Sequence, residues 1–344
     1  MPKKNIFPEV DVVIIGVNAA KTLAACLQSV YDCRYPRNRL NVIFVDGGSK
    51  DKSIKIAHRY ARVKVLALKH RHPTPGRGRN AGWRAGKAPF VMFLDADTTL
   101  EADFLGRAIC AMKSGIGAVH GYRRETATKR SLFNWIGDQE WPRGKGYVSS
   151  FGGDVLIRRE ALVRTRGYRE SLVAGEDPEL SRRMIRAGYR ILQIPCPMTR
   201  HNLAMNRLSK YWKRAYRSGY AFAAVRACLP ETDEFWALES RRILLRGGMA
   251  MSLFLTGLIA CLTGFPQQGL LTMALALFLL FRPLLLRRGH FRKALGLKGQ
   301  AIWIYALHCS LVVIPQCFGL FRYHLGQLLN RPLRNRASNL ATGA

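Results

Sequence analysis

Hydrophobic positions follow two rhythms along this chain. Up to about residue 200, short apolar runs alternate with longer mixed stretches. Residues 10–15, 41–45, 63–67 and 90–94 read as strands, and residues 20–31, 51–61 and 80–85 read as helices. Apolar runs this short, bounded by turn residues, suit strands buried on both faces. Strand followed by helix, repeated, predicts an α/β domain with a mostly parallel sheet. Ligands of such sheets sit at the carboxyl ends of the strands. Asp46 falls at one such end, in VDGGSKD, and Asp95 with Asp97 at another, in FLDADTT.

Near Glu239 the rhythm changes. From Ser240 onward there is no Asp or Glu, yet there are thirteen Lys and Arg, and three apolar stretches follow at residues 248–265, 269–286 and 300–321. Each approaches the ~20 residues of a spanning helix, although the first two are short and the second contains Arg282 and Pro283. Three spans are expected, with a hairpin plus a re-entrant or interfacial segment as the alternative. Arg241, Arg242 and Arg246 precede the first stretch, and Arg287, Arg288, Arg292, Lys293 and Lys298 separate the second from the third. Basic flanks favour the cytoplasmic side, so a multi-pass protein of the cytoplasmic (inner) membrane with its N-terminal domain in the cytoplasm is expected. The tail residues Arg331, Arg334 and Arg336 run against the same rule if there are three spans.

Composition narrows the classes. The chain has 344 residues, 48% of them hydrophobic, which excludes a largely disordered polypeptide, and a formal charge of +33. Such a charge calls for a polyanionic partner: nucleic acid, anionic membrane lipids or nucleotide phosphates. A nucleic-acid partner would leave the apolar stretches and the strand-end carboxylates without a task, so none is expected. The eight cysteines show no C-x-x-C pair, and buried thiols in a reducing compartment are expected. MPKKNIFPEV has no apolar core, so an exporting signal peptide is not expected.

Several motifs carry chemistry. Asp46, followed by two glycines and Ser49, forms a tight turn whose carboxylate either serves that turn alone or accepts hydrogen bonds from a base or ribose. Arg77 and Arg79 lie in PGRGRNAGWRAG, a Gly-rich approach to a helix suited to phosphate, or a solvated basic loop. Asp95 and Asp97, at i and i+2 on a turn leaving a strand, either converge on one hard divalent cation or cap the helix that begins near Glu101. Gly152 and Gly153, in FGGDVLIRRE, let a neighbour approach the backbone closely. Glu176 and Asp177 open a helix, either complementing its dipole or supplying a general base held ionised by the helix N-terminus.

Taken in order, VVIIGVN, VDGGSKD, GRGRNAGWRAGKAPFVMFLDADT, FGGDVLIRREAL and AGEDPELSRRMIRAGYRI resemble the family 2 glycosyltransferases with a GT-A fold, over about residues 8–200. The resemblance implies a Rossmann-like nucleotide-sugar domain and an inverting transferase that uses a nucleotide-diphosphate sugar and Mg2+ or Mn2+. Asp46 then matches the nucleoside-binding Asp, Asp95 and Asp97 the D-x-D metal and diphosphate motif, Asp177 the catalytic base beside Glu176, and Arg79 the basic residue near the nucleotide. Asn18 matches a nucleoside contact, but Ala19 stands where many members have Glu. His201 is placed to complete the metal shell, or is structural. Gly152, Gly153 and Trp212 are the expected acceptor contacts.

A Q-x-x-R-W motif is absent, which argues against a processive polymerase. MTRHNLAMNRLSKYWKRAYRSGYA resembles a subgroup associated with bacterial exopolysaccharide assembly, so the acceptor is expected to be lipid-linked or a glycan. A polyprenyl-phosphate sugar synthase, or a sugar nucleotidyltransferase, is the alternative. The expected layout is a cytoplasmic GT-A domain at residues 1–239, ending in an amphipathic interfacial helix near 207–229 or one packed on that domain, followed by a helical membrane module at 240–344.

Overall fold

A computed structural model describes residues 7–69, 72–141 and 143–333. Arg334 and Arg336 of the basic tail, and the first six residues, lie outside it. The chain divides into two compact units, one ending at Ala204 and the other Met205–Leu333. The division falls before the compositional change near Glu239.

The first unit runs β1 (Val10–Gly16), α1 (Leu23–Tyr31), β2 (Leu40–Asp46), α2 (Ser53–Ala57), β3 (Val63–Ala67), α3 (Pro75–Ala85), β4 (Phe90–Asp95), β5 (Thr98–Leu100), α4 (Phe104–Ala111), β6 (Ile116–Glu125), α5 (Leu132–Gln139), β7 (Gly146–Tyr147), β8 (Val155–Arg158), α6 (Arg159–Arg164), α7 (Glu176–Arg186) and β9 (Arg190–His201). Strand order is β3-β2-β1-β4-β8-β6-β9-β5, with β7 on β9. The β3-β2-β1-β4 half is parallel, as expected. Beyond β4 the sheet is mixed: β8 runs antiparallel to β4 and β6, β6 is parallel to β9, and β5 and β7 are antiparallel to β9. Strand β5 follows β4 after only Ala96 and Asp97 and pairs with β9 at the sheet edge.

Period-2 alternation splits each central strand between two apolar layers. Val12 and Ile14 of β1 join Leu27 and Phe104 on one face, while Val13 joins Phe93, Tyr168 and Leu180 on the other. Strands buried on both faces therefore read as unbroken apolar runs.

The Gly-rich approach to a helix expected at residues 75–79 is itself helical. Thr74 caps α3 by accepting from the Arg77 amide at 3.3 Å, and Pro75 occupies the first turn. A Cβ at Gly82 would collide with Val13, and one at Gly78 would press on Ile15 at 3.3 Å. Glycines spaced four apart thus let α3 lie close against β1, at the expense of helix propensity.

The second unit comprises α8 (Leu208–Cys228), α9 (Ala237–Ile243), a π-helical turn Leu244–Met249, α10 (Ala250–Leu262), α11 (Pro266–Leu286), α12 (Arg288–Leu295), α13 (Gln300–Leu311) and α14 (Val313–Leu328). Three helical stretches, Ala237–Leu262, Pro266–Lys293 and Gln300–Leu328, are long and apolar enough to cross a membrane. They outrun the apolar windows of the sequence because their polar flanks continue the same helices. Helices α10 and α11 meet at Gly257 and Gly269, where an added Cβ would strike the facing backbone. Small residues at such crossings are how spanning helices gain van der Waals contact without a hydrophobic drive.

Helix α8 belongs to this unit and not to the first, contrary to the expected layout. Gly219 of α8 faces the backbone of Gln316, and Gly319 of α14 faces that of Tyr216. The buried face Ala215, Gly219 and Ala223 is therefore a helix-packing surface.

Gly82→Val should destabilise the full chain by about 1–3 kcal/mol through overpacking against β1. Gly152→Ala, with nothing within 4 Å of the added carbon, should change stability little. Thermal unfolding of both variants in detergent tests this; equal midpoints would contradict the packing role given to the glycines.

Candidate active site

Asp46 ends β2 level with Gly16 of β1. Its Oδ2 accepts from the amides of Gly48 (2.9 Å) and Ser49 (2.8 Å), closing a turn in which Gly48 has φ +100. Its Oδ1 is buried with no hydrogen-bond partner. Asn18 lies against the same loop, in the left-handed region at φ 54, with its amide donating to Ser49 Oγ at 2.7 Å. Its Oδ1 accepts from the Lys50 amide at 2.8 Å, and its Nδ2 is buried and unpartnered. The loop thus fixes both side chains and leaves one acceptor and one donor unused. Unpaired buried polar atoms are costly, so a polar ligand at these strand ends would relieve both.

Arg79, matched from the sequence to the basic residue near the nucleotide, is engaged by carboxylates. It is 2% exposed and projects from α3 into a ring of carboxylates. It meets Glu176 Oε1 at 2.6 Å, Asp95 Oδ1 at 2.9 Å and Asp177 Oδ1 at 3.5 Å. Tyr168 covers it, with its ring centre 5.4 Å from the guanidinium carbon. Close packing of α3 on β1 gives Arg79 this reach. A buried guanidinium keeps its proton and must find anions, so Arg79 ties the end of β4 to the start of α7.

Two residues outside the sequence-based set complete the ring. Arg123 of β6 lies 2.7 Å from Asp154 Oδ2 and 3.3 Å from Asp95 Oδ2. Asp154, fully buried, also accepts from the Asp95 amide at 3.1 Å and Thr199 Oγ1 at 2.6 Å. The signal available in the sequence was Asp154 itself, a carboxylate opening the apolar run of β8. Its cation lies on another strand, beyond the reach of local pattern. Gly153 packs on this ring: a Cβ there would sit 2.7 Å from both Arg79 and Asp95. It is therefore a spacer against the ring, while Gly152 is exposed and open. Trp212 lies on α8 in the second unit, beside Phe318, and is not among the side chains the first unit brings together.

Asp97 and His201 do meet. Pairing of Thr98 with His201 sets β5 on β9, and His201 Nε2 comes within 3.1 Å of Asp97 Oδ2. Burial opposes ionisation of Asp97, but the hydrogen bond and charge of His201, with Arg123, hold its carboxyl below the usual range. His201 Nδ1 is buried without a partner. Asp95 has both oxygens engaged by arginine. Among the described residues, no group of three His, Cys, Asp or Glu side chains is spaced to hold a metal alone. The donors fit a hard cation that draws its other ligands from substrate oxygens, as Mg2+ does, and not a closed protein cage.

Helix α7 carries three buried acids in its first turn, and their environments differ. Glu179 is paired with Arg169 (3.2 Å) and Arg183 (2.6 Å) and is structural. Glu176 is held by Arg79. Asp177 Oδ1 has no hydrogen-bond partner. Burial pushes the Asp177 carboxyl well above its ordinary value; Arg79 works against this, while Glu176 and Asp95 add to it. The helix N-terminus therefore does not dominate, contrary to the expectation of a group held ionised by the dipole. A carboxyl raised towards neutrality suits proton transfer.

The profile of Glycosyl transferase family 2 matches residues 11–161, and that of Glycosyl transferase family group 2 matches residues 90–287, more than half of the chain. The chain belongs to the family 2 glycosyltransferases, with the GT-A fold. Among curated relatives, it is 25% identical over 258 residues to the probable glycosyltransferase YdaM of Bacillus subtilis, covering 69% of this chain and 60% of the relative. It is 28% identical over 195 residues to the succinoglycan biosynthesis protein ExoA of Rhizobium meliloti, covering 52% and 59%. The chain thus spans less than two thirds of the length of either. A mannosyltransferase from Pyrobaculum calidifontis, PcManGT, solved in complex with GDP-Man and Mn2+, shares the fold at TM-score 0.59 and 18% identity, over 95% of this chain and 89% of that one.

Asp177 links the site to pH. A carboxyl whose pKa is raised on folding favours the folded state below its unfolded value, near 3.9, and loses that contribution as pH rises through the folded value. The metal-free protein should therefore lose stability over this window, and Asp177→Asn should remove part of that loss. Denaturant titrations at pH 4 and pH 8 check it; a pH dependence identical in both proteins would contradict the assigned environment.

Proposed function

We propose that this chain is an inverting glycosyltransferase that moves a sugar from a nucleotide-diphosphate donor to a lipid-linked or polysaccharide acceptor, in exopolysaccharide or cell-envelope glycan synthesis. The observation that carries the reading is Asp177, a buried carboxyl with a free oxygen, held beside the Arg79–Asp95 bridge at the mouth of the sheet. Likeness to ExoA, a succinoglycan biosynthesis protein, supports the pathway. The basic flanks of the spanning helices support a multi-pass protein of the cytoplasmic membrane with the first unit in the cytoplasm.

Asp46 Oδ1 and Asn18 Nδ2 receive the nucleoside, one accepting and one donating. Asp97, with His201 and Asp95, would hold Mg2+ or Mn2+, whose chemistry is to neutralise the departing diphosphate. Arg79 and Arg123 fix Asp95 so that its position is set before the donor arrives. Asp177 takes the acceptor hydroxyl proton as that oxygen bonds to the anomeric carbon, and the bond from that carbon to the diphosphate breaks on the opposite face. One displacement inverts the configuration. Glu176, already paired, acts through Arg79. An acceptor phosphate, as in a polyprenyl-phosphate sugar synthase, needs no base, so an Asp177 whose Oδ1 makes no hydrogen bond favours a hydroxyl acceptor.

Asp177→Asn should lower turnover by about 10²-fold or more, the ordinary worth of a positioned base, with donor affinity unchanged. Asp97→Asn should instead weaken cation-dependent donor binding. Calorimetry beside transfer assays tests both. Full turnover in Asp177→Asn, or equal loss of binding and rate, would overturn the assignment.

A further inference from the structure

The acids of the second unit, Glu231, Asp233, Glu234 and Glu239, all precede a cluster of arginines. Arg242 and Arg246 sit four residues apart, on one face of the first spanning helix, and Arg246 lies in the π-helical turn Leu244–Met249. Turns of this kind mark functional sites more often than ordinary helix does. The Arg246 guanidinium donates to the carbonyls of Cys309 at 2.8 Å and Leu280 at 3.3 Å, so it reaches both α13 and α11. Arg242, Arg287 and Arg282 are near enough to act on its charge. From Ser240 onward the sequence has no Asp or Glu. Among the described residues, none of the four arginines is in an ion pair with a carboxylate, and the Nε atoms of Arg242 and Arg246 are both buried without a hydrogen-bond partner.

Carbonyl oxygens satisfy hydrogen bonds but cancel no charge. Four guanidinium groups in a helix bundle repel one another more strongly than they would in water. Arg282 and Arg287 are exposed on the bundle surface, and the Nε atoms of Arg242 and Arg246 are buried. Position adds to this. Arg242 and Arg246 lie in the first half of Ala237–Leu262, and Arg282 and Arg287 lie at the end of α11 (Pro266–Leu286), so all four share one end of the helical hairpin. Both helices exceed the ~20 residues needed to span, so their last turns reach headgroup depth. Leu244, Leu245, Leu285 and Leu286 beside the arginines are exposed. Apolar surface next to unneutralised guanidinium groups suits an anion attached to a hydrocarbon chain.

We infer that this cluster binds the diphosphate of a polyprenyl-type lipid, the carrier of the acceptor glycan. Its identity as acceptor carrier rests on the transferase reading above. Charge selects the ligand: an ordinary phosphodiester headgroup brings one negative charge, whereas a diphosphate brings two or more. Guanidinium forks also match paired phosphate oxygens.

The test uses the full chain in phosphatidylcholine nanodiscs, with lipid retention read by native mass spectrometry. The probes are a polyprenyl diphosphate, the corresponding polyprenyl alcohol and phosphatidylglycerol. The diphosphate should bind about tenfold more tightly than either of the others, and Arg246→Gln and Arg282→Gln should each weaken it by about tenfold, the worth of one charged hydrogen bond. Lys298→Gln should leave retention unchanged. Equal retention of alcohol and diphosphate would overturn the proposal, as would equal retention of phosphatidylglycerol, which marks a general headgroup contact. Unchanged diphosphate binding in Arg282→Gln, an exposed position that spares the bundle, would overturn it even if Arg246→Gln fails to fold. Nucleotide-sugar binding measured on the same preparations separates the two readings. Its loss in every protein, with diphosphate retained, would count against the transferase reading alone. Donor binding without diphosphate selectivity would count against this site alone.

Discussion

A guanidinium cannot shed its proton at physiological pH, so burying Arg79 to 2% exposure obliges the surrounding chain to supply anions at fixed points. Much of the first unit is arranged by that requirement. The glycines of α3 bring the helix against β1, which delivers the side chain between Asp95 and Glu176. Gly153 leaves the space that the bridge occupies. Arg123 repeats the device on the far oxygen of Asp95 and is itself anchored by the buried Asp154. Such pairs add little net stability, because desolvation offsets attraction, but removing one partner costs about 3–5 kcal/mol. The gain lies in position: Asp95 is clamped by two cations, and Asp177 Oδ1 beside Arg79 is buried without a hydrogen bond.

Features that depend on local pattern were legible in the sequence. The apolar runs at 10–15, 41–45, 63–67 and 90–94 fall on β1 to β4, and the central β1, β2 and β4 are largely apolar because both their faces are buried. The strand-end acids Asp46 and Asp97 stand where the parallel half of the sheet opens, and β5 pairing brings His201 to Asp97. What stayed hidden depends on contacts distant in sequence. Gly-rich PGRGRNAGWRA reads as loop because helix propensity disfavours glycine; only the closeness of β1 explains why it is helix. Arg79 therefore looked like a phosphate ligand. Arg123 and Asp154 carry no local signature, since each is explained by the other. In α8, the small residues that meet α14 are outnumbered by Trp, Tyr, Lys and Arg, whose mixture reads as an interfacial helix.

The two units meet opposite electrostatic demands. In the first, buried cations and anions are matched closely, and Asn18 Nδ2, Asp46 Oδ1 and Asp177 Oδ1 are among the buried atoms left without a hydrogen bond. In the second, the acids vanish from the sequence after Glu239 and the cations remain, held by carbonyls and helix ends. On the proposed reading, a site for nucleotide chemistry joined to a bundle that binds lipid phosphate would give one chain access to a donor from water and an acceptor from the bilayer.

In the proposed mechanism, one base drives a single displacement at the anomeric carbon. The most direct measurement is proton NMR of the transfer product, formed by the full chain from a nucleotide sugar of known anomeric configuration and a lipid-linked acceptor. The anomeric coupling should report the configuration opposite to that of the donor, because Asp177 activates the acceptor on the face away from the diphosphate. A product that keeps the donor's configuration would require a second displacement, with a carboxylate such as Asp177 as nucleophile and not as base, and would contradict the account.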